Sequence, residues 1–334
     1  MNVGVFDSIG GNAERYLYYS DRFPEITLIP FPGRHPRECM KELQENNCEG
    51  IIFTSFSQDP PEFFERLKEA GVKYISTISV GHDHLNLQRM SELGIRAGNV
   101  PRYSPNSVAE YAVMMLLACC RNLRQQVLNA EDCRYKLNFA PGKEIRDLKI
   151  GIIGAGRIGS VTIECLSGFH PKKVYAYTRH YSERWKPNAE YADLDTIYSE
   201  CDAIIYHADL NPSTHHMCNR EAIAKMKDGV IIVNPSRGGI TDSEALLWGI
   251  ESGKIGALGL DVIDDEAVLR TASKFEECPI PTLGKLLAHE NVIFTPHTAY
   301  YTEVANRDLE MTTIDNLVEY ARTGHCSNEL TSLD

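Results

Sequence analysis

One stretch, Lys149–Ser160 (KIGIIGAGRIGS), constrains this chain more than any other. The apolar run Ile150–Ile153 leads straight into Gly154-Ala155-Gly156-Arg157-Ile158-Gly159, and the following VTIECLSGF carries apolar residues at helical spacing. Strand, glycine turn and helix in that order suit a dinucleotide diphosphate. Gly154 permits the tight turn, Gly156 admits the diphosphate to the backbone, and Gly159 lets the helix pack close to the strand. The helix N-terminus then offers N–H groups and a partial positive charge to the phosphates. Arg157 and Ile158, inside the turn, join the three glycines as candidates for cofactor contact.

The rest of the chain is compatible with a soluble protein built around that unit. Its 334 residues give length for two domains, and 43% hydrophobic with 24% charged residues is ordinary for globular chains. A formal net charge of -12 argues against a nucleic-acid partner, because phosphates would meet a repulsive field. The N-terminus, MNVGVFDSIGG, lacks a basic segment followed by a long apolar run, so a cytoplasmic location without a signal peptide is expected. The most apolar stretch, Tyr111–Cys120, falls short of the roughly 20 residues that a membrane span needs. Bounded by Glu110 and Arg121, it is expected as a buried helix, with no membrane partner.

Ten cysteines are scattered without a C-x-x-C pair, so neither a zinc ribbon nor a thioredoxin-type site is suggested and reduced thiols are expected. His82-x-His84 and His215-His216 have no Cys or carboxylate partner at ligand spacing. They are expected as surface or turn histidines, and no metal is expected.

Short apolar runs alternate with helical patterns on both sides of the fingerprint. Asn2–Phe6, Ile26–Pro30, Gly50–Thr54 and Tyr74–Thr77 are predicted strands, with helices near Arg37–Glu45 and Pro61–Ala70. Two prolines and a Ser-Pro step at Asn99–Asn106 mark a boundary, followed by a long helix from about Ser107 to beyond Arg121. Beyond the fingerprint, Val174–Tyr177, Ala203–His207, Val230–Asn234, Ala257–Val262 and Val292–Thr295 are predicted strands, with helices at Asn219–Met226, Asp242–Ser252 and Thr302–Thr323. This alternation implies an α/β fold with doubly wound parallel sheets.

The strand after the fingerprint helix predicts which dinucleotide is held. An acidic residue there would accept hydrogen bonds from the adenosine ribose hydroxyls, and this chain has Tyr177-Thr178-Arg179-His180 instead. A hydroxyl and a guanidinium suit a 2′-phosphate, and Arg184 and Lys186 add local positive charge. NADP(H) is therefore favoured, with NAD(H) as the alternative. His207, closing its strand, is a further candidate for cofactor contact.

Three later strands each deliver a chemically able segment to the rim where ligands gather in open α/β sheets. These are Asn234-Pro-Ser-Arg237, Asp261-Val-Ile-Asp-Asp-Glu266 and Thr295-Pro-His297. Arg237 can fork a substrate carboxylate and polarise the adjacent carbonyl. His297 can give a proton to oxygen as hydride reaches carbon, and Glu266 can orient that imidazole through its other nitrogen. These are the parts that reduce a 2-oxo acid.

With those residues in view, the chain resembles the D-2-hydroxyacid dehydrogenase family, and within it the D-lactate dehydrogenases of the vancomycin-resistance type. The likeness runs through Ala70–Asn86, Asn99–Leu116, the fingerprint, Ser236-Arg237-Gly238, Asp261-Val262 and Thr295–Asp308. It implies that Arg237, Glu266 and His297 are catalytic and that Asp261 lies near the nicotinamide end of the cofactor. It implies that the Val80-Gly81 backbone binds the substrate carboxylate and that Tyr103 and Tyr300 line the pocket. The related fold places a substrate-binding domain at 1–100 plus 299–334 and an NAD(P)-binding Rossmann domain at 101–298, with a cleft between them. Family members are commonly homodimers through the helix after NVPRYSPN.

The expected reaction is reduction of a 2-oxo acid to its D-(R)-2-hydroxy acid, pyruvate to D-lactate first. Thr54, where some lactate enzymes carry tyrosine, leaves room for a bulkier branched or aromatic substrate. Arg102 leaves room for a dicarboxylate such as 2-oxoglutarate. The alternative from another class is a non-enzymatic, nucleotide-sensing interaction protein of the same fold, as in related transcriptional corepressors.

Overall fold

Apolar runs covered by protein on both faces become the strands of two parallel sheets, as seen in a computed structural model that describes residues 1–6, 13–55, 59–82, 84–137, 139–179, 185–271 and 278–331. The chain divides into two units, Met1–Ser104 with Tyr301–Asp334, and Pro105–Tyr300.

In the first unit, β1 (Asn2–Phe6), β2 (Thr27–Phe31), β3 (Cys48–Ile52), β4 (Tyr74–Ser76) and β5 (Arg96–Gly98) form a sheet in the order β2-β1-β3-β4-β5. Pairing with β1 sets the ends of its neighbours, from Asn2 opposite Thr27 to Phe6 opposite Phe31. For that reason β2 and β3 begin and end one or two residues away from the stretches that apolar runs alone suggest. The expected helix at Arg37–Glu45 is split into a 3-10 turn at Pro36–Glu38 and a helix at Met40–Glu45, with the His35 side chain accepting from the Arg37 N–H to cap the turn. One face of the sheet packs Leu43, Phe64, Leu67 and Met90, and the other packs Tyr16 with Ile314, Leu317 and Tyr320. The last three lie on the closing helix Glu303–Thr323, which therefore belongs to this unit.

In the second unit, β6 (Lys149–Ile153), β7 (Lys173–Tyr177), β8 (Glu190–Tyr191), β9 (Ala203–Tyr206), β10 (Val230–Asn234), β11 (Ile255–Leu260) and β12 (Val292–Phe294) form a sheet in the order β12-β11-β10-β9-β6-β7-β8. The helix expected to run beyond Arg121 stops at Cys120, because Asn122 takes a left-handed backbone (φ 51°) before a second helix, Leu123–Glu131. Met115, Leu116 and Cys119 of the first of these helices pack with Ile150, Ile152 and Val233 on one face of the sheet. Leu246, Leu247 and Ile250 of the helix Ser243–Glu251 pack with Ile204, Ile232 and Leu258 on the other.

From β6 the chain winds first toward β7 and later returns to place β9 on β6's other side. That reversal opens a crevice at the carboxyl ends of β6 and β9, the place where such sheets bind ligands. All ten cysteines are free. Among the described residues, no helix is long and apolar enough to cross a membrane.

Candidate active site

The glycine turn sits at that reversal. Gly154 has φ 97°, a left-handed conformation that side chains rarely adopt, and its N–H donates to the Tyr177 carbonyl at 2.9 Å. A Cβ on Gly154 would lie 2.4 Å from the carbonyl carbon of His207, so the turn closes directly against the end of β9. Gly156 differs. It caps the 11-residue helix Arg157–Ser167 without a side-chain bond, and a Cβ there meets nothing within 4 Å. Open space over a helix N-terminus fits the diphosphate of a nicotinamide dinucleotide.

The two glycines should therefore fail differently. Gly154→Ala is expected to lose at least roughly 1–3 kcal/mol of stability in urea unfolding, from left-handed backbone strain with the clash of its Cβ against the His207 carbonyl added to it. Gly156→Ala should unfold like the parent yet bind the reduced cofactor at least about tenfold more weakly in a fluorescence titration, about 1.4 kcal/mol. Equal losses of stability in both variants would contradict this division.

Thr178 follows β7 directly and is half-buried, while Arg179 is exposed. Arg184 and His180 lie outside the described residues. His207 follows β9, with its Nε2 2.9 Å from Thr162 Oγ1 on the fingerprint helix. Although the residue is half-buried, the surrounding protein pushes its imidazole down to about 4, so it carries no charge at neutral pH.

At the carboxyl end of β11, Asp261 is fully buried. Its carboxylate accepts from Thr295 Oγ1 at 2.6 Å and from the N–H groups of Thr298 and Ala299 at 2.9 and 2.8 Å. Burial pushes its pKa up, while these three hydrogen bonds pull it down. Its main-chain carbonyl accepts from the His297 N–H at 2.8 Å. Asp261 thus clamps the turn that carries His297, which is held at φ 56°. On that turn, His297 Nδ1 meets Glu266 Oε1 at 2.6 Å, and the Tyr300 ring stands edge-on to the imidazole with centroids 6.4 Å apart. Both His297 and Glu266 keep part of their side chains accessible.

Arg237 follows β10, and its Nη1 donates to the Ser236 carbonyl at 2.9 Å. The buried Asn234 shapes its turn: Nδ2 donates to the Arg237 carbonyl at 2.9 Å, and Oδ1 accepts from Ser236 N–H and Oγ at 3.1 and 2.8 Å. A Cβ on Gly238 would lie 2.1 Å from the Ile263 carbonyl carbon, so this turn packs against the segment leading to Glu266. Asn234 escaped the sequence reading; its signal was a polar residue ending an otherwise apolar buried strand.

The first unit holds the remaining candidates. The carbonyls of Val80 and Gly81 are taken by Asn99 Nδ2 at 2.8 Å and Ser79 Oγ at 2.5 Å, which fixes how this segment presents its backbone. Thr54 is buried with Oγ1 3.5 Å from Ser79 Oγ, Tyr103 is half-buried and Arg102 is exposed.

His84, His215 and His216 lie in turns, as the sequence suggests, and two of them have partners that local spacing does not reveal. His84 sits in the turn after β4 but is buried there, with Nε2 3.0 Å from Thr77 Oγ1 and its ring edge-on to Phe53. His216 does have a carboxylate partner: Nε2 is 2.6 Å from Asp264 Oδ2, a contact across 48 residues that no local spacing reveals.

Comparison with known proteins places this architecture. A family model described as D-isomer specific 2-hydroxyacid dehydrogenase, NAD binding domain, matches residues 113–299. An aromatic 2-oxoacid reductase from Clostridium sporogenes is 39% identical over 269 residues, covering 80% of this chain and 81% of the relative. A D-specific alpha-keto acid dehydrogenase from Enterococcus faecium is 39% identical over 96% of this chain and 98% of its own. The crystal structure of a D-lactate dehydrogenase from Treponema pallidum superposes with a TM-score of 0.88 at 28% identity, covering 99% of this chain and 100% of that one. The chain belongs to the D-isomer-specific 2-hydroxyacid dehydrogenase family and is an oxidoreductase that uses a nicotinamide dinucleotide and acts between 2-oxo and D-2-hydroxy acids.

Proposed function

We propose that this enzyme reduces pyruvate to D-lactate and prefers NADPH, with NADH as the alternative cofactor. The Glu266–His297 pair, 2.6 Å apart on a turn clamped by the buried Asp261, supports reduction of a 2-oxo acid, and Thr178-Arg179 in place of an acidic residue supports NADPH. Protonated His297 donates Nδ1–H to Glu266, which leaves its Nε2–H for the substrate oxygen. Arg237 is assigned to fork the carboxylate and polarise the carbonyl, and the backbone at Val80-Gly81 is assigned to carboxylate binding. A reduced nicotinamide, when held there, would supply the hydride for C2. His297 gives its proton to the oxygen, completing the hydroxyl, and is reprotonated from solvent. Tyr103 and Tyr300 are each assigned to contact with the substrate side chain. Gly154, Gly156, Arg157, Ile158 and Gly159 would hold the diphosphate, the uncharged His207 would contribute to cofactor contact, and Thr178 and Arg179 would hold a 2′-phosphate. Residues 1–100 with 299–334 serve the substrate and 101–298 the cofactor.

A second reading has a specific basis. The small buried Thr54 and the identity to an aromatic 2-oxoacid reductase favour a bulkier 2-oxo acid. A steady-state panel of pyruvate, 2-oxobutyrate, 4-methyl-2-oxopentanoate, phenylpyruvate and 2-oxoglutarate, each with NADH and NADPH, separates the two. The highest kcat/KM is expected for pyruvate with NADPH. A peak at phenylpyruvate transfers the assignment to the second reading, and a peak at 2-oxoglutarate implicates Arg102. A strong NADH preference overturns the argument from Thr178.

The enzyme is further proposed to be a homodimer. Met114, Leu123 and Val127 are 49%, 50% and 47% exposed on the consecutive helices Pro105–Cys120 and Leu123–Glu131, an apolar surface that a second copy would cover. Light scattering is expected to give twice the 37.5 kDa chain mass. The double variant Met114→Glu, Val127→Glu should be monomeric, and a parent that is itself monomeric would end this proposal.

A further inference from the structure

We propose that His215, His216 and Asp264 form a binding site for a divalent cation of the zinc class, apart from the residues assigned to hydride transfer. Among the described residues, this is the one group of three or more His, Cys, Asp or Glu side chains whose ligand atoms lie within 4.8 Å of one another. His216 Nε2 is already 2.6 Å from Asp264 Oδ2, and the two imidazoles stack with centroids 3.9 Å apart and planes 23° from parallel. Side chains adjacent in sequence ordinarily diverge in extended chain. Here the left-handed backbone at His216, φ 49°, accompanies two rings on one side.

The backbone behind these ligands is tied down. The His215 N–H donates to the Asn211 carbonyl at 2.9 Å, the His216 N–H to Gly239 at 2.7 Å and the Cys218 N–H to Ile240 at 3.1 Å. Thr214 Oγ1 donates to the Asp209 carbonyl at 2.6 Å. A ligand set on fixed backbone loses little entropy when a cation binds. His215 is exposed and the other two residues are half-buried, so solvent reaches the site and water can complete the coordination shell.

Donor chemistry selects the cation. Two imidazole nitrogens and one carboxylate oxygen suit Zn2+ and its neighbours Co2+, Ni2+ and Cu2+, whereas Mg2+ and Ca2+ take oxygen ligands. Zinc bonds of about 2.0–2.2 Å at tetrahedral angles separate two donors by roughly 3.3 Å. The present contact between His216 and Asp264 therefore opens by less than about 1 Å when the half-buried carboxylate swings outward. The net charge of -12 raises the local concentration of cations.

Occupation has a consequence for turnover, which rests on the proposed role of Glu266. Asp264 precedes Glu266 by two residues, and the same segment packs against Gly238, next to Arg237. A cation that ties Asp264 to the His215-His216 loop restrains the segment carrying Glu266. Inhibition is therefore expected to lower kcat without competing with the 2-oxo acid.

The test begins with binding to cofactor-free protein after removal of adventitious metal. Zn2+ is titrated by calorimetry and Co2+ by visible absorption. One equivalent should bind, with Co2+ bands of four-coordinate intensity and no thiolate charge-transfer band in the near ultraviolet. The absence of that band matters because all ten cysteines are free and Cys133 is exposed. His215→Ala alters an exposed ring and Asp264→Asn keeps the shape of its side chain, so both should fold. Each should weaken binding at least about tenfold, as loss of a ligand costs no less than loss of an outer-shell partner. Unchanged affinity in His215→Ala, or a thiolate band in the parent, overturns the site. In the activity assay, Zn2+ should lower kcat of the parent and spare His215→Ala. Binding at the three residues without inhibition would overturn the coupling to the Glu266 segment and leave the cation site standing.

Discussion

His297→Gln is expected to lower kcat/KM for the preferred 2-oxo acid about 10²–10⁴-fold, the usual worth of a positioned proton donor. Glutamine offers an amide that can bond the substrate oxygen but cannot deliver a proton to it, so the loss should appear mainly in kcat. Because position 297 has φ 56°, a second variant separates chemistry from strain. His297→Asn places a residue that tolerates left-handed backbone in the same turn. Both variants should melt close to the parent and bind cofactor normally, and both should be nearly inactive. Activity within a few fold of the parent in either would remove His297 from the proton-transfer step. The clamp beneath it gives a reason to expect a clean result. Asp261 binds the backbone at Thr298 and Ala299 and accepts from the His297 N–H, contacts that do not involve the imidazole.

Arg237→Lys is the second large effect expected, a loss of about 10²–10³-fold in kcat/KM, comparable to removing one preorganised electrostatic donor. Lysine keeps the charge and loses the planar fork that holds a carboxylate through two bonds. The loss should therefore divide between a raised KM, from weaker carboxylate binding, and a lowered kcat, from a carbonyl left less polarised. Arg237→Ala should be worse, and millimolar guanidinium should restore part of its activity because the missing group is then supplied from solution. Steady-state kinetics with and without guanidinium checks both statements. A lysine variant with parental KM would sink the assignment of Arg237 to the carboxylate. Stability should change little, since Arg237 is half-buried and its turn is held chiefly by Asn234 and the Gly238 packing.

The parts of this molecule legible in the sequence are those whose requirements are local. The order strand, Gly154-x-Gly156-x-x-Gly159, helix is a backbone requirement written at fixed spacing, and it leads directly to the turn at the end of β6. Continuous apolar runs such as Val230–Asn234 announce strands covered on both faces. Two strands escaped: β8 has only two residues, and β5, Arg96–Gly98, lacks the apolar run that reveals the equally short β4 and β12. The break at Asn122 and the division of the helix after His35 escaped as well, because left-handed backbone at a non-glycine residue and a side-chain cap leave no pattern in hydropathy.

For the candidate site the division is sharper. The residue types and their order after successive strands were visible, and so was the absence of an acidic residue at Thr178. Asn234 and Asp261 show why inspection of single segments stops there. Each is a fully buried polar group whose hydrogen bonds shape a turn, and burial is a property of the assembled sheet.

By itself, then, the sequence determined a parallel α/β protein with a dinucleotide turn after β6 and an arginine, a glutamate and a histidine in the loops that follow β10, β11 and β12. Only the tertiary structure decided that Glu266 and His297, 31 residues apart, stand at 2.6 Å, and that Asp264 faces His216 rather than solvent. The reason is the range of the forces involved. Hydrophobic burial is non-directional and leaves a periodic trace along the chain, whereas a hydrogen bond forms only when two groups are placed to within a few tenths of an ångström. That placement comes from the register of β11 with β12, Leu258 opposite Val292 and Leu260 opposite Phe294, which brings the loops leaving both strands to the same edge of the sheet.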